Sequence, residues 1–198
     1  MDFADTLLAL CVGIGLSAAC GFRVFVPMLV MSVAARSGML HLGPGFAWLA
    51  TWPALLALGT ASVLEIGASC IPWVDHAVDV AATPAALVAG TLATVAQFDG
   101  AGGMASWAAG LILGGGAAGA THLLNASTRA VSTVTTAGTA NPLLSLLQAA
   151  ASFLLSLLSI LMPVLAVGAV LAAGISVYVV WRRRSGGRVP VANLNLSA

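Results

Sequence analysis

The chain has 198 residues, 60% of them hydrophobic and only 7% charged, with a mean hydropathy of +1.06. Soluble domains carry roughly a quarter charged residues, so a water-soluble globule is excluded and a lipid bilayer is the solvent that fits. The formal net charge is +1, all seven basic residues are arginine, and no basic patch exists beyond Arg182–Arg184, which leaves no case for a nucleic-acid partner.

A transmembrane helix needs about 20 apolar residues. The first predicted helix runs from about Thr6 to Ser32. Asp2 and Asp5 precede it where a secretion signal would need positive charge, so it reads as a retained helix. Within it lies Gly15-Leu-Ser-Ala-Ala-Cys-Gly-Phe-Arg-Val-Phe-Val-Pro27, a run of small residues followed by a lone arginine and a helix-kinking proline. Residues 35–48 read as a loop, with Phe46, Trp48 and Trp52 suited to an interfacial belt. A second helix runs from about Pro53 to Ser69 and contains Glu65. Ile71-Pro-Trp-Val-Asp-His-Ala-Val-Asp79 reads as a short interfacial turn, and a third helix runs from Pro84 to Phe98. Asp99–Gly103 is a breaker, followed by a fourth helix from Met104 to Val131 that carries Gly110, Gly114 and Ala118 at four-residue spacing. Ser132–Asn141 reads as a polar loop. The span from Pro142 to Trp181 is about 60 Å if helical, twice the hydrocarbon thickness, so it folds as a hairpin turning near Ser159–Pro163.

The fold class expected is all-α, with six transmembrane helices in one domain over residues 1–181 and a short polar tail over 182–198. Gly15–Arg23 can be laid on Gly114–His122, and Pro53 and Pro72 on Pro142 and Pro163. That divides the domain into halves at about 1–98 and 99–181, three helices each, as a 3+3 inverted repeat. An even number of crossings puts both termini on one side. The Arg182–Arg184 cluster makes that side cytoplasmic, in a plasma (bacterial inner) membrane.

Arg23 at membrane depth costs roughly 2.5–3.5 kcal/mol on insertion scales. Glu65 is the sole acidic residue inside a predicted span, so it is the named partner. Arg23 admits three readings: a fixed pair with Glu65, a contact for a solute or coupling ion, or snorkelling to an interface. His122 and Asn125 share a face of the fourth helix and complete the candidate binding set Arg23, Glu65, His122 and Asn125. Arg129 and Gln148 lie nearer an edge. Asp75, His76 and Asp79 form a weak candidate metal site, with a solvated loop as the plainer reading. Cys11, Cys20 and Cys70 lack metal spacing and read as packing residues. No Gly-x-Ser-x-Gly run occurs, and no catalytic residue or cofactor is assigned.

The run Gly15–Pro27, the Trp52-Pro53 start, Glu65, the Ile71–Asp79 segment and the glycine-rich helix with Thr121-His122 resemble an uncharacterised bacterial membrane family, domain of unknown function 4126, over about residues 6–175. The resemblance implies an integral membrane protein; no catalytic roles come with it.

The function expected is a small transporter or channel-like permease for an unidentified solute or ion. Its polar site sits near the bilayer midplane. A membrane scaffold in which the same residues only pack helices is the runner-up, and a lipid-head-group enzyme at Asp75–Asp79 is third. The small-residue faces leave room for a homodimer without fixing one.

Overall fold

The apolar stretch that begins the chain does not run straight. The computed structural model describes residues 3–69, 72–98, 103–136 and 139–185, and their side chains except at 44, 72–80, 177, 180, 181 and 183–185. All regular structure among these residues is helical. α1 (Phe3–Cys20) ends before Gly21, and α2 (Phe25–Arg36) begins after Val24.

Contacts with α4 (Pro72–Val95) fix the directions. Gly13 of α1 packs on Thr94, and the Ser17 hydroxyl donates to the Gly90 carbonyl at 2.5 Å, so α1 and α4 are antiparallel. Met31 of α2 accepts from the Gln97 amide at 3.5 Å, and beyond α2 the Gly43 N–H donates to the Ala96 carbonyl at 2.9 Å. Hence α2 runs back towards the level where α1 began. The single helix expected over Thr6–Ser32 is instead a hairpin turning at Gly21–Val24. Pro27 kinks nothing. It lies in the first turn of α2, where backbone N–H groups have no partner within the helix.

Gly38, at φ 76°, takes the left-handed position just past α2. A 3-10 turn (Pro44–Ala50) leads to α3 (Trp52–Ala68), where the Thr51 hydroxyl caps Ala54 N–H at 3.4 Å. α3 lies antiparallel on α2. Arg36 stacks over Trp52 at 4.0 Å, Leu29 meets Gly59, and Val24 meets Glu65.

The Ile71–Asp79 segment was expected to be a turn. From Pro72 it forms the first turns of α4, which therefore starts well before Pro84. No glycine or proline interrupts Trp73–Thr83, so polarity alone does not end the helix. α5 (Met104–Ala109), a π-helical turn (Gly110–Gly115) and α6 (Gly116–Thr136) make one rod of 33 residues. Where a loop was expected from Ser132, α6 continues through Thr136. The hydroxyls of Thr133, Thr135 and Thr136 donate to the carbonyls of Arg129, Val131 and Ser132, so these residues are satisfied inside the helix. α7 (Asn141–Leu161) and α8 (Pro163–Ser185) are joined through Met162, at the hairpin point expected.

α7 is antiparallel to α1: Gly15 packs on Ser159, the Ala19 carbonyl accepts from Ser152 at 2.9 Å, and Arg23 meets Ser145. α6 is parallel to α1. Gly114 sits by Gly90 and Thr94, the residues Ser17 bonds, while Gly21 packs on Ala118 and His122. Elements related by an inverted repeat must run in opposite directions. Gly15–Arg23 and Gly114–His122 are therefore crossing partners rather than inverted equivalents. The reversal at Gly21–Val24 adds a helix to the first half, giving it four against the second half's three rods.

The interior mixes apolar side chains, Leu16, Met31 and Leu49 among them, with many small and polar ones. Ser17, Ser32, Ser152, Ser156 and Ser159 are fully buried, whereas Val63, Leu111 and Ile112 are 70%, 63% and 69% exposed. Water would select the reverse; lipid selects this pattern, because bilayer helices associate through small residues and hydrogen bonds. Among the described residues, Phe3–Cys20, Met104–Thr136 and Asn141–Leu161 are each long and apolar enough to cross a membrane, and shorter apolar stretches lie at Phe25–Arg36, Trp52–Ala68, Ala81–Val95 and Pro163–Ser176.

Ser17 ties α1 to α4 through Gly90 and, at 2.8 Å, the Thr94 hydroxyl. Ser17→Ala is expected to cost about 0.6–1.7 kcal/mol, the span measured for hydrogen bonds between membrane helices. Detergent unfolding monitored by circular dichroism checks this.

Candidate functional site

Non-helical backbone at membrane depth is tolerated only where it is buried in protein or lines a cavity. The turn Gly21–Val24 meets both conditions. Glu65, at its level, is thirteen residues along α3 from Trp52, about 20 Å of helix.

The turn's backbone N–H groups are accounted for one by one. Gly21 and Phe22 N–H donate to the Ala18 and Ala19 carbonyls, each at 3.1 Å, and Arg23 N–H to Ala19 at 3.3 Å. The Phe22 carbonyl accepts from the Asn125 side chain at 3.4 Å. Val24 N–H donates to Glu65 Oε1 at 2.8 Å, and Phe25 N–H to Glu65 Oε2 at 3.1 Å. Each oxygen of one carboxylate thus takes one N–H at the start of α2. A helix N-terminus carries partial positive charge, so this is a favourable seat for an anion.

Arg23 is 5% exposed. One of its terminal nitrogens donates to the Glu65 carbonyl at 3.1 Å and to the Ser69 hydroxyl at 3.0 Å. The other donates to Ser145, to its carbonyl at 3.4 Å and to its hydroxyl. The planar fork so clamps α3 to α7 across the turn. Glu65 does meet Arg23, but through its main chain. Its carboxylate serves the turn.

On α6, His122 Nε2 lies 3.1 Å from the Thr83 hydroxyl of α4. Arg129 Nε donates to Gln148 Oε1 of α7 at 3.2 Å. Gln148 is 6% exposed, and its Nε2 has no hydrogen-bond partner among the described residues. Arg23, Glu65, His122, Asn125, Arg129 and Gln148 line one cavity of about 20 Å³. That volume holds a single water-sized species.

All four residues of the candidate set therefore lie around one cavity. They arrive from four places: the turn, α3 and two successive turns of α6. The side chains of Asp75, His76 and Asp79 lie outside the described residues. Among the described residues, no cluster has the makings of a metal site. Cys11 and Cys20 are free thiols, and Cys20 lines the cavity.

Sequence reasoning passed over Ser69, Thr83 and Ser145. A signal for Ser145 exists: Ser145, Gln148, Ser152, Ser156 and Ser159 recur at three- and four-residue spacing, and all are buried on one stripe of α7.

No curated protein and no solved structure matches the chain. A family model does match, over residues 10–183, from the second half of α1 to the basic end of α8. That span covers every residue of the cavity, and the chain thus belongs to the family described as "Domain of unknown function (DUF4126)".

Proposed function

We propose that this chain is a small membrane permease whose solute site is the polar cavity at the Gly21–Val24 reversal. One observation carries the reading. The chain reverses between two apolar helices and turns the N-terminus of α2, together with Arg23, onto a cavity lined by groups from α3, α6 and α7. A helix that only needed to span would not break there, because each freed backbone group must be satisfied by another residue. Transporters use broken helices to bring backbone dipoles to a solute inside the bilayer. The Arg182 end is the cytoplasmic end in this reading, since the basic cluster lies there and no comparable cluster lies at the other.

The scaffold reading keeps one supporting observation: the cavity is only one water wide. Cys20 separates the two, because it is buried yet lines the cavity. Take the protein with Cys11 and Cys70 replaced by alanine, in liposomes, and add a membrane-impermeant maleimide. A permease that opens to water exposes Cys20, so steady modification is expected. Modification only after the protein is unfolded in detergent would overturn the permease reading and leave a packed scaffold.

A further inference from the structure

One buried polar group at the cavity finds no acceptor in the chain. Gln148 lines the cavity from α7 and is 6% exposed. Its Oε1 accepts from Arg129 Nε at 3.2 Å. A guanidinium only donates, so this bond fixes which end of the amide is oxygen and which is nitrogen. The other end, Nε2, carries two hydrogens and has no hydrogen-bond partner among the described residues. A donor so deeply buried is rarely left unmatched in a folded protein, and the cavity is where an acceptor from outside the chain can meet it.

We propose, on the footing of the permease reading, that the cavity binds a single halide ion, which accepts from Gln148 Nε2. The unmatched group is a donor, so a metal cation cannot satisfy it. Among the described residues the lining carries two guanidiniums, of Arg23 and Arg129, and one carboxylate, of Glu65. Each oxygen of that carboxylate is held by an N–H at the start of α2, at 2.8 and 3.1 Å. A water molecule at Nε2 needs acceptors for its own two hydrogens, and arginine side chains offer none. An anion needs donors alone, and its charge at this depth needs cations beside it. The volume sets the size. About 20 Å³ takes one water-sized species. A chloride ion is close to water in size, whereas acetate, nitrate and phosphate each bring several heavy atoms. Arg129 then does two things: it holds the Gln148 amide in place and it supplies charge.

The test uses the full chain in phosphatidylcholine nanodiscs assembled in radiolabelled chloride, against empty discs. Saturable retention of the label by the wild-type chain is expected, displaced by unlabelled chloride and not by acetate at the same concentration. Gln148→Glu keeps an oxygen for Arg129 and puts a second oxygen where the unmatched nitrogen stood. A loss of retention of about tenfold or more is expected, the worth of one charge-assisted hydrogen bond. Gln148→Met, of similar length and without the amide, is expected to lose retention too, and it serves if the charged variant does not fold. Circular dichroism and a single elution peak establish folding. The proposal is overturned if the folded wild-type chain retains no more chloride than empty discs, which leaves the cavity to water. It is also overturned if a folded Gln148 variant retains chloride as the wild type does, or if acetate displaces the label as well as chloride. Assembly in the label loads the site without any opening of the chain. Retained chloride with Cys20 unmodified therefore keeps the halide site and removes the permease, and the converse keeps the permease and removes the halide.

Discussion

Arg23→Ala is expected to lower the stability of the folded bundle by about 1–3 kcal/mol, the range for leaving buried hydrogen-bonding groups without their partner. The fork of Arg23 supplies hydrogen bonds to the Glu65 carbonyl, Ser69 and Ser145. Alanine leaves those oxygens buried without that donor, and α3 and α7 lose their clamp. The insertion cost of the charge does not return as stability. Arg23 lies in the bilayer in the inserted but unfolded chain as well, so that cost appears on both sides of the equilibrium. Arg23→Lys is expected to recover less than half of the loss, since an ammonium is a point donor and cannot fork between two helices. Unfolding in mixed micelles, followed by circular dichroism, measures both variants. Stability unchanged in Arg23→Ala would mean that the turn holds without its clamp.

Gly21→Ala is expected to be among the most damaging single-methyl changes at the described glycines. A Cβ there would stand 2.5 Å from the Ala118 carbonyl oxygen, 2.6 Å from Thr121 Cβ and 2.8 Å from the His122 nitrogen. These are main-chain atoms and a branched carbon of α6, not the ends of flexible side chains. Relief requires α6 to move away from the turn, which also pulls Asn125 from the Phe22 carbonyl and shifts His122. Overpacking typically costs about 1–3 kcal/mol, and the upper end is expected here. Gly45→Ala, where a Cβ meets nothing within 4 Å, is the matched control. Equal melting temperatures for the two variants would contradict the close approach of α1 and α6.

Much of this was legible in residues that lipid makes expensive. Arg23 and Glu65 stand out because few charges occur in the spans, and His122 and Asn125 because they follow a glycine run on one helical face. The hairpin of α7 and α8 was legible because its length exceeds what a bilayer can hold. The reversal at Gly21–Val24 was not. Phe22, Val24 and Phe25 are as apolar as any helical residue, and hydropathy records the cost of transfer, not the direction of travel. The turn has a single glycine, no proline, and no side chain that caps α2 locally. Its cap comes from Glu65, forty residues on, so no local window holds the signal. The same tertiary cause defeated the inverted repeat: matching small-residue runs reflects a shared need for close packing, which Gly21 and Ala118 meet by touching each other. The threonine-rich end of α6 misled in another way. Side chains that compete for backbone bonds in turns here satisfy carbonyls of their own helix.

The two helices that follow the reversal are short. α2 is about 18 Å long and α3 about 25 Å, and both have one end at the level of Glu65. Neither matches a hydrocarbon core of about 30 Å. In a bilayer with Trp52 at one interface, α2 and α3 would stop short of the other on that face. Lipids there would thin or tilt to meet them, at a fraction of a kcal/mol for each ångström of mismatch. A bundle so built would respond to bilayer thickness at the flank where Glu65 holds the start of α2.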